Sequence, residues 1–211
     1  MAAKKTLAEP KPAVTTRGEY TRARLLEAAY TLFLQKGFHG TSLRDIAEMA
    51  GVAVGGIYNH FKDKEEIFAA VLDTYHPYHT MVPAVQAIEA VTVEDYVHQT
   101  SRIVYDGLSD VKTQLLPLAF IELVEFQGRH IKQLVGKVAP TIWGFLERLN
   151  KLEGRLRPLP VPLLFRTYMS LLIGLIVSDM ILKDLPLFKP FKIKWLEGMV
   201  DIFLHGILKP E

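Results

Sequence analysis

Apolar residues in this chain recur at intervals of three and four, and no stretch of useful length alternates apolar with polar. A period near 3.6 marks helices that bury one face, and a period of two marks strands. The chain is therefore expected to be all-α. The pattern breaks at glycine, proline and capping residues, which cut 211 residues into short elements. A first helix is expected over 19–36, with Leu25, Ala29, Leu32 and Phe33 on its apolar stripe and Gly37 as its stop. Ser42, with Asp45 three positions on, has the form of a capping box. It opens a second helix that carries Leu43, Ile46 and Ala47 inward and ends at Ala50-Gly51. After a turn of only Gly51-Val52-Ala53, a third short helix is expected to reach about His60, with Phe61 closing it. Asp63 and Glu66 open a fourth, through Ile67, Phe68, Val71, Leu72 and Tyr75, which Pro77 interrupts. Further apolar helical segments are expected over 78–90, 93–108, 111–127, 130–152, 161–182 and 191–208. Thr92, Gly107-Leu108-Ser109, Gly128, Gly154–Pro162 and Pro186–Pro190 mark their breaks, and Pro117 and Pro140 mark kinks or boundaries.

Composition narrows the class. Half the residues are apolar, enough for a sizeable core, and there is no cysteine for a disulfide framework or thiolate chemistry. The net charge is only +2, but residues 1–64 carry ten Lys/Arg against six Asp/Glu, while the remainder carries fifteen against seventeen. A basic front suits a partner with phosphates, although a solvated charged tail gives the same count. Residues 1–16 have no apolar core of a secretory signal and are expected to form a flexible arm. The longest apolar run, Tyr168 to Val177, lies between Arg166 and Asp179 and is too short to span a bilayer. A soluble cytoplasmic protein with no membrane partner is expected.

Two short helices joined by a three-residue turn with glycine form the helix-turn-helix pattern, in which one helix braces another that enters the major groove of DNA. The stretch from Thr21 to Phe68 closely resembles the DNA-binding domain of the TetR family. The features in register are Thr21-Arg22, Ala28-Ala29, Leu32-Phe33, Gly37-Phe38, Thr41-Ser42-Leu43, Ile46-Ala47, Ala50-Gly51-Val52, Gly55, Ile57-Tyr58, His60-Phe61 and Lys64-Glu65. The resemblance implies a homodimer on double-stranded operator DNA, with a helix-turn-helix domain over 17–63 and a helical effector-binding and dimerisation domain over 64–211. It implies phosphate contacts from Tyr58, His60 and Lys64, and backbone or base contacts from Thr41, Ser42 and Arg44. Tyr58 can also be read as a core aromatic, and Ser42 as a cap alone.

The departures are informative. Ser or Thr usually stands at the place of Ala53, where it caps the recognition helix; losing such a cap costs about 1 kcal/mol. Adjacent Gly55 and Gly56 each cost about 1 kcal/mol of helix propensity relative to Ala. Ala53 and Val54 are expected against thymine methyls, with Gly55 and Gly56 allowing close approach and Asn59 as a polar reader. Arg44 and DNA shape carry the remaining sequence preference.

Nothing after residue 75 bears a comparably specific motif. Candidate pocket residues for a small, mainly apolar effector are Tyr96, His98, Phe120, Glu122, Phe126, Trp143 and Tyr168. Each can equally be an ordinary core residue. Candidate dimer residues, on helices that resemble the family's dimer-forming pair, are Leu171, Leu172, Leu175, Ile176, Trp195, Met199, Ile202 and Phe203; burial within one chain is the alternative. Glu122 with Glu125 reads as a solvated helix edge rather than an acid–base pair. His76 and His79 flank a proline and are a weak metal signal; no metal or cofactor is expected. The function expected is a ligand-responsive transcriptional regulator, most simply a repressor. An enzyme with a helix-turn-helix-like front, for which no catalytic constellation is visible, and a ligand-free architectural DNA-binding protein are the rivals.

Overall fold

A computed structural model describes residues 16–110, 115–152, 157–182, 185–186 and 194–207. It contains α1 (Arg17–Lys36), α2 (Leu43–Ala50), α3 (Val54–Ile57), α4 (Lys64–Tyr75), α5 (Tyr78–Gln86), α6 (Val93–Asp110), α7 (Leu115–Glu125), α8 (Arg129–Leu149), α9 (Val161–Leu182) and α10 (Trp195–Ile207). No strand occurs among the described residues, as the apolar spacing requires. Two compact units meet in sequence between Val71 and Leu72, inside α4. The expected arm up to residue 15, residues 154–156 of one expected break and residues 187–190 of another lie outside the described residues.

The first unit is held by its helix ends and one aromatic cluster. Thr16 and Glu19 cap α1 reciprocally, so the helix starts two residues before the expected position. Ser42 and Asp45 form the expected box at α2. Ser42 Oγ accepts from the Asp45 N–H at 3.1 Å, and Asp45 accepts from the Ser42 N–H at 2.9 Å. The Ser42 hydroxyl also donates to Asp45 Oδ2 at 2.6 Å, and this bond, then the Ser42 N–H, with Lys36 nearby, holds the Asp45 carboxyl below its ordinary pKa. Gly51 ends α2 in the left-handed conformation (φ 63°), where a side chain would be strained and would strike Arg24 Nη2. Asp63 accepts from the Glu66 N–H at 2.7 Å and opens α4. Beneath these caps, Phe33, Phe38 and Phe68 pack with ring centres 5.2–5.8 Å apart. Lys64 Nζ donates to the carbonyls of Phe38 (2.6 Å) and Thr41 (2.7 Å) and lies 4.3 Å from the Phe38 ring centre. It pins the α1–α2 turn to the start of α4.

In the second unit, one aromatic file crosses four helices. Tyr96 of α6, Phe145 of α8, Tyr168 of α9 and Phe203 of α10 follow one another at 5.3, 5.6 and 5.4 Å. Two expectations change here, and a third is narrowed. α6 continues through Gly107-Leu108-Ser109 to Asp110. The glycine serves packing rather than termination, because a Cβ there would sit 2.7 Å from Met81 Cγ and Sδ. α8 runs on through Pro140, which excludes the boundary and leaves the kink of the two outcomes expected there. Glu122 is not on a solvated edge: it is fully buried. Its Oε1 accepts from the His130 N–H at 2.6 Å and the Ile131 N–H at 3.4 Å, and its Oε2 pairs with His130 Nδ1 at 2.7 Å. The N-cap position of α8 is Gly128, which has no side chain to offer. A carboxylate from α7 supplies that cap from outside the helix, where the dipole also favours it.

α9 corrects the reading of its apolar run. Pro162–Leu182 is long and apolar enough to cross a membrane by length and composition alone, a test that core helices also pass. Leu164, Tyr168, Leu172 and Ile176 lie along one stripe, buried in this unit. Leu163, Ile173 and Ile181 are exposed. Within one chain the helix is two-faced, with one buried stripe and one exposed face.

Replacing Glu122 with Ala should cost about 3–5 kcal/mol, because it strands buried donors at the α7–α8 junction. Urea unfolding measures this, and a loss below about 1 kcal/mol would show that the junction does not depend on the carboxylate.

Candidate functional site

One face of the first unit is built from α2, its glycine turn and α3. α3 is shorter than expected: four helical residues, followed by turns that Phe61 and His60 close with N–H bonds to the Ile57 carbonyl at 2.9 and 2.8 Å. The cause is local. Ala53 holds an N-cap conformation (φ −70°, ψ 145°) with no side-chain bond, and two glycines follow within the helix. Ile57 is fully buried, as is Phe61, and the pair anchors the segment. Around the anchor, Ala53, Val54, Gly55, Tyr58 and Asn59 are exposed, and Gly56 and His60 are half-buried. Tyr58, at 59 % exposure, is not a core aromatic.

The glycine pair has no intrachain explanation. A Cβ at Gly55 or Gly56 would meet nothing within 4 Å, and neither has a positive φ. Both positions could carry alanine without a clash.

The α2 end of this face divides in two. Ser42 and Arg44 are exposed. Thr41 is buried, and its hydroxyl donates to the Gly37 carbonyl at 2.8 Å, so it shapes the turn and presents no side chain outward. Lys64 is half-buried and spends two of its three N–H donors on Phe38 and Thr41; desolvation lowers its pKa.

The second unit contains a cavity of about 580 Å³. Of the seven residues expected to line it, Phe120 and Tyr168 do. The other five are placed elsewhere for identifiable reasons. Tyr96 stacks on Phe145 beneath Arg148, and His98 faces Asp201 at 3.6 Å. Glu122 and Phe126 both pack against His130, and Trp143 is exposed. Sequence reasoning missed His76, Tyr78, Met81 and Thr100, all of which line the cavity. Thr100 had a legible signal. It interrupts the apolar stripe Val93, Val97, Val104 of α6, and a small polar residue on a buried stripe marks a special surrounding.

His76 and His79 are both engaged within the chain. Tyr78 donates its N–H to His76 Nδ1 at 3.1 Å, and His79 Nε2 lies 3.2 Å from the Asp73 carbonyl. No cluster of three metal-ligating side chains occurs among the described residues. Burial, helped by the positive charge of His79 and opposed by Asp73, pushes the His76 pKa down to about 4.

Of the eight candidate dimer residues, Leu172, Ile176 and Phe203 are buried inside the unit and cannot form a surface. Leu171, Leu175 and Met199 are half-buried, and Trp195 and Ile202 are exposed. With Ile181 they leave an apolar outer face on α9 and α10, while the exposed Ile173 lines the cavity; Ile202 is 73 % exposed.

Comparison with known proteins agrees with this geometry. The family described as bacterial regulatory proteins, tetR family, matches residues 25–71, within the first unit. The HTH-type transcriptional regulator TtgR of Pseudomonas putida is 49% identical over 59 residues, 28% of each chain. The HTH-type transcriptional repressor KstR2 of Rhodococcus jostii is 42% identical over 64 residues, 30% of this chain and 31% of that protein. The chain thus matches under a third of the length of these curated relatives. The structure of NalD, the secondary repressor of the MexAB-OprM multidrug efflux pump in Pseudomonas aeruginosa, aligns over 92% of this chain and 100% of that chain, with a TM-score of 0.65 and 22% identity. That is a likeness of fold alone.

A histidine held neutral by folding takes up a proton more readily when unfolded. The stability it contributes is full above pH 6.5 and falls as the pH drops toward about 4. The second unit should lose on the order of 2–3 kcal/mol over that window from this residue. His76→Asn, which keeps an acceptor for the Tyr78 N–H, should flatten that part of the profile. Urea midpoints at several pH values for both proteins check it, and identical profiles would refute the assignment.

Proposed function

Because the chain belongs to the tetR family of bacterial regulatory proteins, we propose that it is a ligand-responsive repressor, released from a near-palindromic DNA operator by a small, mainly apolar effector. The observation that carries this reading is the face around α3. A four-residue helix with an unfilled N-cap and a glycine pair is intrinsically weak, yet two buried anchors hold it at the surface. The glycines leave open space that the protein's own packing does not use. Such a surface admits close approach of a duplex, with Ala53 and Val54 against thymine methyls and Asn59 as a polar reader.

Ser42, Arg44, Tyr58 and His60 are the phosphate-facing groups in this proposal, with the third N–H of Lys64 completing the set. Thr41 serves the turn. Few bidentate base readers are available, so DNA shape and Arg44 supply much of the selectivity. The effector occupies the second unit's cavity. A core holding an apolar space of about 580 Å³ favours this over a ligand-free architectural role. By linkage, operator DNA lowers effector affinity by the same factor that effector lowers DNA affinity. Curated relatives are named as transcriptional regulators, and we infer no catalysis. The site of action is the cytoplasm, where the DNA is.

Dimerisation uses the outer face of α9 and α10. Gly174, Gly198 and Gly206 have open space where a Cβ would stand, which suits close helix approach beside Ile181, Trp195 and Ile202. A second copy covering that face also accounts for an apolar helix surface without a membrane.

Selection from random duplexes should return a near-palindrome whose half-sites are about one helical turn or more apart. Affinity for it should fall about tenfold or more for each doubling of salt, and Arg44→Ala should reduce that slope. A salt-independent affinity would overturn the phosphate-led interface. Ile202→Arg should convert the dimer to a monomer in sedimentation and weaken operator binding; a dimer that persists would place the interface elsewhere.

A further inference from the structure

The cavity of the second unit is distinguished by what its wall lacks. Among the described residues, none that lines it is Asp, Glu, Lys or Arg. The nearest acidic group by bonding is Asp73, whose Oδ1 accepts from the Tyr78 hydroxyl at 2.9 Å and from Lys137 at 2.5 Å. It is already neutralised. A charged group inside this cavity would exchange water for hydrocarbon with no counter-ion, which costs several kcal/mol of affinity.

Of the hydroxyls in the lining, those of Tyr168 and Tyr78 are occupied, and that of the half-buried Thr141 is not needed by the core. The Tyr168 hydroxyl is 3.0 Å from Ser101 Oγ, and that of Tyr78 is bound to Asp73. Thr100 differs. It is almost fully buried, lines the cavity, and its Oγ1 has no hydrogen-bond partner. Threonine in a helix has two accessible χ1 rotamers, so a turn about one bond exchanges its methyl and hydroxyl. A ligand oxygen can therefore collect a donor that the protein leaves unspent. His76 provides a second. Its Nδ1 accepts from the Tyr78 N–H, which places the proton of the neutral ring on Nε2. The ring remains neutral throughout the physiological range because burial disfavours its charge.

We propose that the ligand of this cavity is an uncharged, chiefly apolar molecule carrying an oxygen acceptor such as an ester, ketone or ether, and that the Thr100 hydroxyl is the group that recognises it. This rests on reading the cavity as the effector site and specifies the ligand's chemistry. Carboxylates, acyl phosphates and ammonium compounds are excluded from the interior by the same wall that admits their neutral analogues.

The test uses the full chain and three probes that share one alkyl chain: methyl decanoate, decanoate and decylammonium. Calorimetric titration near neutral pH should show saturable binding of the ester, at least about tenfold tighter than either ion. Thr100→Val keeps the shape and removes the hydroxyl. It should weaken the ester about three- to tenfold while leaving the melting temperature of the free protein unchanged or higher, because an unpartnered buried hydroxyl is lost. An ion that binds as tightly as the ester, an unaltered ester affinity in Thr100→Val, or no ester binding at all would each overturn the proposal. Operator binding is measured separately on the same protein. Loss of ester selectivity with intact DNA binding sinks only this inference, and intact selectivity without DNA binding sinks only the repressor reading.

Discussion

A protein made of short helices depends on how its helix ends are satisfied. Each end leaves backbone donors or acceptors without intrahelical partners, and the shorter the helix, the larger that share becomes. The first unit meets this demand locally. Thr16 with Glu19, Ser42 with Asp45 and Asp63 with Glu66 close helix starts, and left-handed Gly51 closes a helix end. At the α1–α2 turn the ammonium of Lys64 takes up two carbonyls. Only with these ends closed do the three phenylalanines beneath them have fixed positions to pack in. α3 is the exception. Its N-cap is an alanine, so tertiary anchoring by Ile57 and Phe61 holds what local structure does not. The one element left unsupported by its own sequence is the one presented outward, and an external partner is the natural source of the missing contacts.

The second unit meets the same demand by longer-range means. α8 is capped by a carboxylate from α7, at the cost of burying a charge that must then find several donors. The aromatic file Tyr96–Phe145–Tyr168–Phe203 binds four helices along one side. The other surfaces of α6, α8 and α9, together with α5 and α7, line an apolar cavity that is partly open to solvent instead of closing on one another. Phe145 and Tyr168 belong to both, so the rigid file forms part of the cavity wall. A binding space backed by a packed core is preorganised, which lowers the ordering cost of filling it.

The candidate site was legible in unequal parts. The exposed segment around α3 could be placed from Gly51-Val52-Ala53 and the residues in register with it, because backbone turns and caps act over three or four positions. The same reasoning overran α3 by several residues, since a weak cap and two glycines shorten a helix more than the apolar pattern reveals. It also treated Thr41 as outward-facing, when its hydroxyl is committed to a carbonyl in the folded unit, and it did not reveal that Lys64 spends two donors on carbonyls. In the cavity, aromatic and charged residues drew attention that belonged to Thr100 and His76. Size and charge say which residues are conspicuous, not which way they face.

The sequence by itself determined that the chain is helical, where most helices start and stop, and that its front carries a helix-turn-helix. These follow from periodicity and capping, interactions within a turn or two of the chain. The tertiary structure alone decided that Glu122 is a buried cap for another helix, that Leu172, Ile176 and Phe203 face inward while Ile202 faces out, and that an apolar space remains between α6, α8 and α9. Each of these depends on which surfaces of separate helices meet, and a helical stripe specifies that a face is buried without specifying against what.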